Sequence, residues 1–175
     1  MQESMSLLNA IHSRASVRFF TEQNVSDEQI EMILRAGMAA PSACNKQPWR
    51  FVVVRNPETK KTYAETVKYA DPVARANVAI VVCGDMDATI EGNKDYWIFD
   101  AAAAAENILL AAHGIGLGGV CLGVYPTMER VEFLKNLLKL PENIVPLATH
   151  AIGYPEKPAK PLDKWRPDFI HNERW

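Results

Sequence analysis

No surplus of charge of either sign marks this sequence: 19 basic side chains against 21 acidic ones leave a formal charge of -2 over 175 residues. That balance removes the electrostatic reason to expect nucleic acid or an anionic membrane as partner, and points to a small molecule. Apolar runs of membrane-spanning length are missing too. The first residues, MQESMSLLNAIHSRAS, carry Glu3 early and polar breaks at Asn9 and His12, without the basic and apolar regions of a secretion signal. Cysteine is scarce. Cys44, Cys83 and Cys121 are odd in number, far apart and without a C-x-x-C pair, which argues against a disulfide framework or a zinc knuckle and for a reducing cytoplasm. His12, His113, His150 and His171 show no metal-ligand spacing. P-loop and G-x-S-x-G motifs are absent.

What is present is an ordinary globular mixture, 48% apolar and 23% charged, sufficient for one domain with a full core. Leu7, Leu8 and Ile11 predict a short amphipathic helix ending near Ser13, followed by an extended SVRFF. Ser26 and Gln29 form a capping box, so the next helix is expected from about Asp27 until Pro41 stops it. WRFVVVR and ANVAIVVCGD read as strands, the second buried on both faces, with PETKKTYAETVKYA between them as a helix. The run DAAAAAENILLAAHGIG is apolar around nearly its whole circumference, with Asp100 read as its N-cap. Such a helix belongs inside a protein or inside a dimer. GGVCLGV is a strand, MERVEFLKNLLKL a helix and VPLATHAIGYP a further strand.

From Pro155 the segment YPEKPAKPLDKWRP holds four prolines and is expected to be extended. It and the following residues carry Trp165, Phe169, Ile170 and Trp175, an apolar load suited to embracing a second subunit or to packing along their own.

Chemistry-bearing residues are few. In SRASVRFF, Arg14, Ser16 and Arg18 alternate with Ala15, Val17 and Phe19, so an extended chain points the polar three one way. This comb suits a phosphate and a neighbouring polar ring, or is a solvated edge. Gly114, Gly116 and Gly119 have G-x-G-x-x-G spacing but follow a helix and precede a strand, the reverse of a dinucleotide fingerprint. Ser42, Asn45 and Gln47 crowd just ahead of Pro48 and Trp49, as in a loop facing a ligand. Tyr96, Trp97 and Phe99 sit in what reads as a short connection, either as core filler or as an aromatic wall.

Four ordered blocks, SRASVRFF, ILRAGMAAPSACNKQPWRFVVV, DAAAAAENILLAAHGIGLGGVCLGVYP and DKWRPDFIHNERW, together resemble the short form of the nitroreductase family of flavin-dependent oxidoreductases. The resemblance implies an α+β fold whose central, mostly antiparallel sheet is flanked by helices. It implies an intertwined homodimer, with residues 1–154 as the FMN-binding domain and 155–175 as a tail crossing to the partner. It also implies that Arg14 contacts the FMN phosphate, Ser16 the phosphate-ribityl side and Arg18 the pyrimidine end of the ring. Pro41, Ser42, Ala43 and Cys44 would lie near the partner's flavin, with Asn45 and Gln47 anchoring that loop. Leu122 and Gly123 would lie against the isoalloxazine, and Lys164 and Arg166 would complete the phosphate grip. Ala15 stands where the family commonly has a basic residue, and Cys121 where many relatives have tryptophan. No protein side chain is expected to be the catalytic group, since flavin carries the chemistry while Arg18 and Gly123 tune it. Tyr96 and Trp97 are candidates for the acceptor pocket. The implied activity passes hydride from NADH or NADPH to a small acceptor such as a nitroaromatic or quinone, in ping-pong fashion. A specialised flavoenzyme of the same fold (flavin-fragmenting, dehalogenating or dehydrogenating) and a non-catalytic FMN-binding module are the alternatives.

Overall fold

Val78–Asp85 (β2) is buried along its whole length: the apolar run Val78–Cys83 suits a strand covered on both faces, and Asp85 at its end is paired with Arg50. This computed structural model describes residues 5–158 and 160–175; Glu3, on which part of the leader argument rests, and Ala159 in the tail lie outside that range. Around β2 stand Trp49–Val54 (β1), Gly118–Gly123 (β3) and Ile144–Gly153 (β4), in the order β1-β2-β4-β3. All three pairings are antiparallel, with a register irregularity between Val82 and Cys83.

The helices are Leu7–Ser13 (α1), Asp27–Met38 (α2), Pro57–Thr66 (α3), Asp71–Arg75 (α4), Tyr96–Gly114 (α5) and Met128–Leu138 (α6). Alternation along the strands sends Ile80, Val82 and Ile152 toward α2 and α5, and Val81, Cys83 and Ala151 toward α3, α4 and α6. The result is an α+β fold in three layers, with two apolar cores separated by the sheet. Helices α2 and α5 approach closely because Gly37 has no side chain: a Cβ there would sit 2.9 Å from Ile108 Cγ1.

Three local expectations are corrected. Helix α5 begins at Tyr96 rather than at Asp100, so Asp100 is an internal residue of the helix and not its cap, and the aromatic segment is helical rather than a connection. Aromatic side chains at helical spacing had masked that first turn. The helix after β1 stops at Thr66, because Val67 turns extended and Tyr69 takes a left-handed φ of +70°, and a separate short helix α4 follows. Finally, SVRFF makes only isolated bridges, Ser16 parallel to Gly119 and Phe20 antiparallel to Pro155. Phe20 is buried, while Phe19 is exposed and lies under the Arg75 guanidinium.

The capping box of α2 is present as read, with Ser26 Oγ accepting from Gln29 N and Gln29 Oε1 accepting from Ser26 N. Past Glu156 the described residues form no strand or helix apart from a 3-10 turn at Pro167–Phe169, and Glu173 takes a left-handed φ of +65°. Leu162, Trp165, Phe169 and Trp175 there are exposed, Trp175 completely.

Candidate functional site

Arg14–Arg18 runs beside β3, tied to it by the Val17 N–H donating to the Gly119 carbonyl at 3.0 Å. Gly118 makes room for this approach, since a Cβ there would stand 2.7 Å from Val17 Cγ2. The segment is thereby held at the free edge of the sheet with a cavity at each step. Arg14 lines an 840 Å³ hollow together with His12, Glu106, Lys164 and Trp165. Ser16 and Arg18 line a second of 380 Å³, closed by Glu156–Pro158 and Lys160. Arg18 reappears in a third of 200 Å³ with Lys68, Leu122, Gly123 and Arg130.

Charge organises these hollows. The Arg14 side chain is mostly buried and its Nε meets the Glu106 carboxylate at 3.4 Å. Among the described residues Arg18, Lys68 and Arg130 form no salt bridge, so three cations converge on the small cavity without a carboxylate between them. Arg130 is steadied by donating from Nη1 to the Gly123 carbonyl at 2.9 Å. A Cβ added at Gly123 would meet nothing within 4 Å and would project into open space. Flat ligands can therefore reach the backbone there.

Underneath, Ser13 Oγ lies 2.8 Å from His113 Nε2, linking α1 to the end of α5. Burial, followed by the nearby Arg14 charge, lowers the His113 pKa. His150 on β4 pairs with Cys121 on β3 and is wholly buried, with neither ring nitrogen hydrogen-bonded to the protein. Burial pushes its pKa down to about 4, so it is a neutral ring.

The other expected residues lie elsewhere. The Pro41–Gln47 loop enters β1, at the opposite edge of the sheet from β3, and three strand spacings put about 15 Å between those edges. Its polar groups close the loop on itself: Gln47 N donates to Ser42 Oγ at 3.0 Å, and Gln47 Nε2 to Asn45 Oδ1 at 2.8 Å. Cys44, Asn45 and Gln47 are all left-handed, with φ of +48°, +53° and +50°. Arg166 is exposed, donates to the neighbouring Trp165 carbonyl and does not line Arg14's hollow. Tyr96 is exposed. Trp97 is 4% exposed and packs edge-on against Tyr125, which makes it core filler rather than pocket wall in this chain.

Comparison with known proteins decides the family. The model of the family described as "Nitroreductase family" matches residues 11–76 and 64–154. The chain belongs to the nitroreductase family. A protein of Archaeoglobus fulgidus, provisionally named NADH dehydrogenase/NAD(P)H nitroreductase, is 45% identical over 172 residues, 96% of this chain and 98% of that one. The crystal structure of a Parabacteroides distasonis protein with the same provisional name superposes with a TM-score of 0.92 at 38% identity, covering 97% of this chain and 98% of the other. A provisionally named nitroreductase from Desulfovibrio desulfuricans, solved in complex with FMN, gives 0.86 at 33% identity, with 98% of each chain covered.

For this nitroreductase-family chain, sequence reading missed Lys68 and Arg130. Neither has a motif around it, and only the convergence of the α3–α4 connection with the start of α6 brings them to Arg18. Asp100 was also missed as a partner of the Ala43 N–H, at 2.9 Å.

Proposed function

We propose that this NAD(P)H-dependent oxidoreductase works as a homodimer that holds FMN along Arg14–Arg18 of one protomer and beneath the Pro41–Gln47 loop of the other. The observation that carries this reading is the placement of those two sets at opposite edges of one sheet. The sheet stands between the two sets within one protomer, and a second copy can supply the loop. The unpartnered apolar surface agrees with it: Phe99 on α5 is 71% exposed, and the tail displays Trp165, Phe169 and Trp175. In this reading residues 1–154 form the flavin-binding domain and 155–175 cross to the partner.

The residues present fit the cofactor. Arg14 and Lys164 share one hollow and would take the phosphate. Glu106 meets the Nε side of Arg14, leaving the terminal nitrogens of the guanidinium to fork onto phosphate oxygens. Ser16, between Arg14 and Arg18, would meet the ribityl side, and Arg166, which does not line that hollow in this structure, would have to turn from the Trp165 carbonyl to join the phosphate grip. The three unpaired cations at Leu122 and Gly123 suit the electron-rich pyrimidine end of the ring, and the bare Gly123 admits its edge.

Bound FMN would supply hydride transfer from NADH or NADPH to an acceptor such as a nitroaromatic or quinone, in ping-pong fashion. Arg18, with Lys68 and Arg130 lining the same cavity, would place fixed positive charge beside the ring and so favour its reduced, anionic form. Leu122 and the partner's Pro41–Cys44 segment would wall the ring, and Asn45 and Gln47 would stiffen that segment. Tyr96, exposed at the start of α5, would shape the acceptor side.

Sedimentation of the FMN-stripped protein titrated with FMN tests this. A two-subunit particle binding one FMN per chain is expected, and a lone subunit or a colourless particle in excess FMN contradicts the reading.

A further inference from the structure

Asp100 lies in the second turn of α5, 6% exposed, and its Oδ1 accepts from the Ala43 N–H at 2.9 Å. A carboxylate withdrawn from water needs such a partner. The partner here is the crown of a loop in an unusual state. Cys44, Asn45 and Gln47 are left-handed without being glycine, a conformation that L side chains avoid and that persists only when its surroundings over-determine it.

The other restraints on the loop are local. Asn45 N donates to the Ser42 carbonyl and Lys46 N to the Ala43 carbonyl, each at 3.0 Å, and Ser42 Oγ accepts from Gln47 N. Ala40 and Trp49 pack against Ala104 and fix the two feet. Among the described residues, the Ala43 to Asp100 bond is the one hydrogen bond that ties residues 42–47 to an element other than the adjoining β1. It does so one helical turn from Ala104, so α5 grips both the base and the crown of the loop.

We propose that Asp100 is a positioning residue: its carboxylate holds the Pro41–Gln47 loop in its left-handed form, so that one protomer presents a rigid wall to the cofactor of the other. The inference rests on the functional reading above, in which this loop faces the partner's flavin. The acid acts through the Ala43 backbone and touches neither cofactor nor co-substrate.

Two variants and two readouts test it. Asp100→Asn keeps an acceptor oxygen in nearly the same place, and Asp100→Leu keeps the branched outline, with more bulk, without it. In the wild-type protein the Ala43 amide should exchange hydrogen at least about tenfold more slowly than the neighbouring Cys44 amide; Asp100→Asn should keep that protection and Asp100→Leu lose it. On FMN titration, Asp100→Leu should raise Kd about tenfold while Asp100→Asn stays within about threefold of wild type. The proposal is overturned by an unprotected wild-type Ala43 amide, by unchanged FMN affinity in Asp100→Leu, or by equal damage in the two variants. Should the leucine variant not fold, wild-type exchange and the same pair of readouts on Asp100→Ala decide the matter. A wild-type protein that takes up no FMN defeats the functional reading instead, and hydrogen exchange still reports whether the pin exists.

Discussion

Arg14 at the end of α1 and Glu106 in the middle of α5 face each other at 3.4 Å, the arginine side chain 19% exposed and the glutamate side chain 54%. The arginine is thus held in place while part of its fork stays open to the large hollow. Arg14→Ala should weaken FMN binding by roughly ten- to a hundredfold, the worth of about 1.5–3 kcal/mol of charge-assisted hydrogen bonding. Riboflavin, which lacks the phosphate, should bind the variant as it binds the wild type. Parallel fluorescence titrations with the two flavins check this; equal losses for both would remove Arg14 from the phosphate grip.

Arg18 stands with Lys68 and Arg130 around the Leu122–Gly123 cavity. Removing its charge should affect the rate as well as the affinity. Arg18→Ala, saturated with FMN, is expected to be reduced by NADH or NADPH about tenfold or more slowly than wild type in anaerobic stopped flow. Full-speed reduction in the flavin-saturated variant would show that Arg18 does no electrostatic work on the ring.

Tyr96 and Trp97 are neighbours with opposite surroundings, the first exposed and the second in the core over Gly84. Trp97→Ala should cost about 3–5 kcal/mol of stability by leaving a cavity. Tyr96→Ala should cost under about 1 kcal/mol, as expected for a surface site, while changing KM for the acceptor. Urea unfolding together with steady-state kinetics separates the two; a stability loss at Tyr96 matching that at Trp97 would show that both are core.

His150 makes stability depend on acid. Burial lowers its pKa from the ordinary 6.5 to about 4, so between those values the unfolded chain takes up a proton that the folded chain refuses. The stabilisation is complete above pH 6.5 and drains away as pH falls toward 4, by about 3 kcal/mol at most. His150→Leu should flatten that part of the curve in urea titrations run from neutral to acid pH. An unchanged acid limb would place the proton uptake elsewhere.

Much of this architecture is legible from local pattern. Ser26 with Gln29 announces α2, the all-apolar run places α5 inside, and the unbroken VAIVV marks a strand covered on both faces. Local pattern fails where distant segments decide. Asp100 looks like a cap because alanines follow it, yet an amide 57 residues earlier is what it serves. Tyr96, Trp97 and Phe99 read as a connection because side-chain size conceals helical spacing when only one of the three is buried. Lys68 and Arg130 acquire meaning only once the α3–α4 connection and the start of α6 bring them to Arg18. The comb at Arg14, Ser16 and Arg18 was visible as a pattern of charge, but its place at a sheet edge opposite the Pro41–Gln47 loop follows only from the strand order.

The central claim, that this chain holds FMN and passes hydride through it, is tested most directly by mixing the FMN-loaded protein with NADH or NADPH without oxygen while following the long-wavelength flavin band. Rapid bleaching by at least one donor is expected, followed by recovery of the band when a quinone or nitroaromatic is added. A protein that keeps its flavin yet stays yellow with both donors would contradict it.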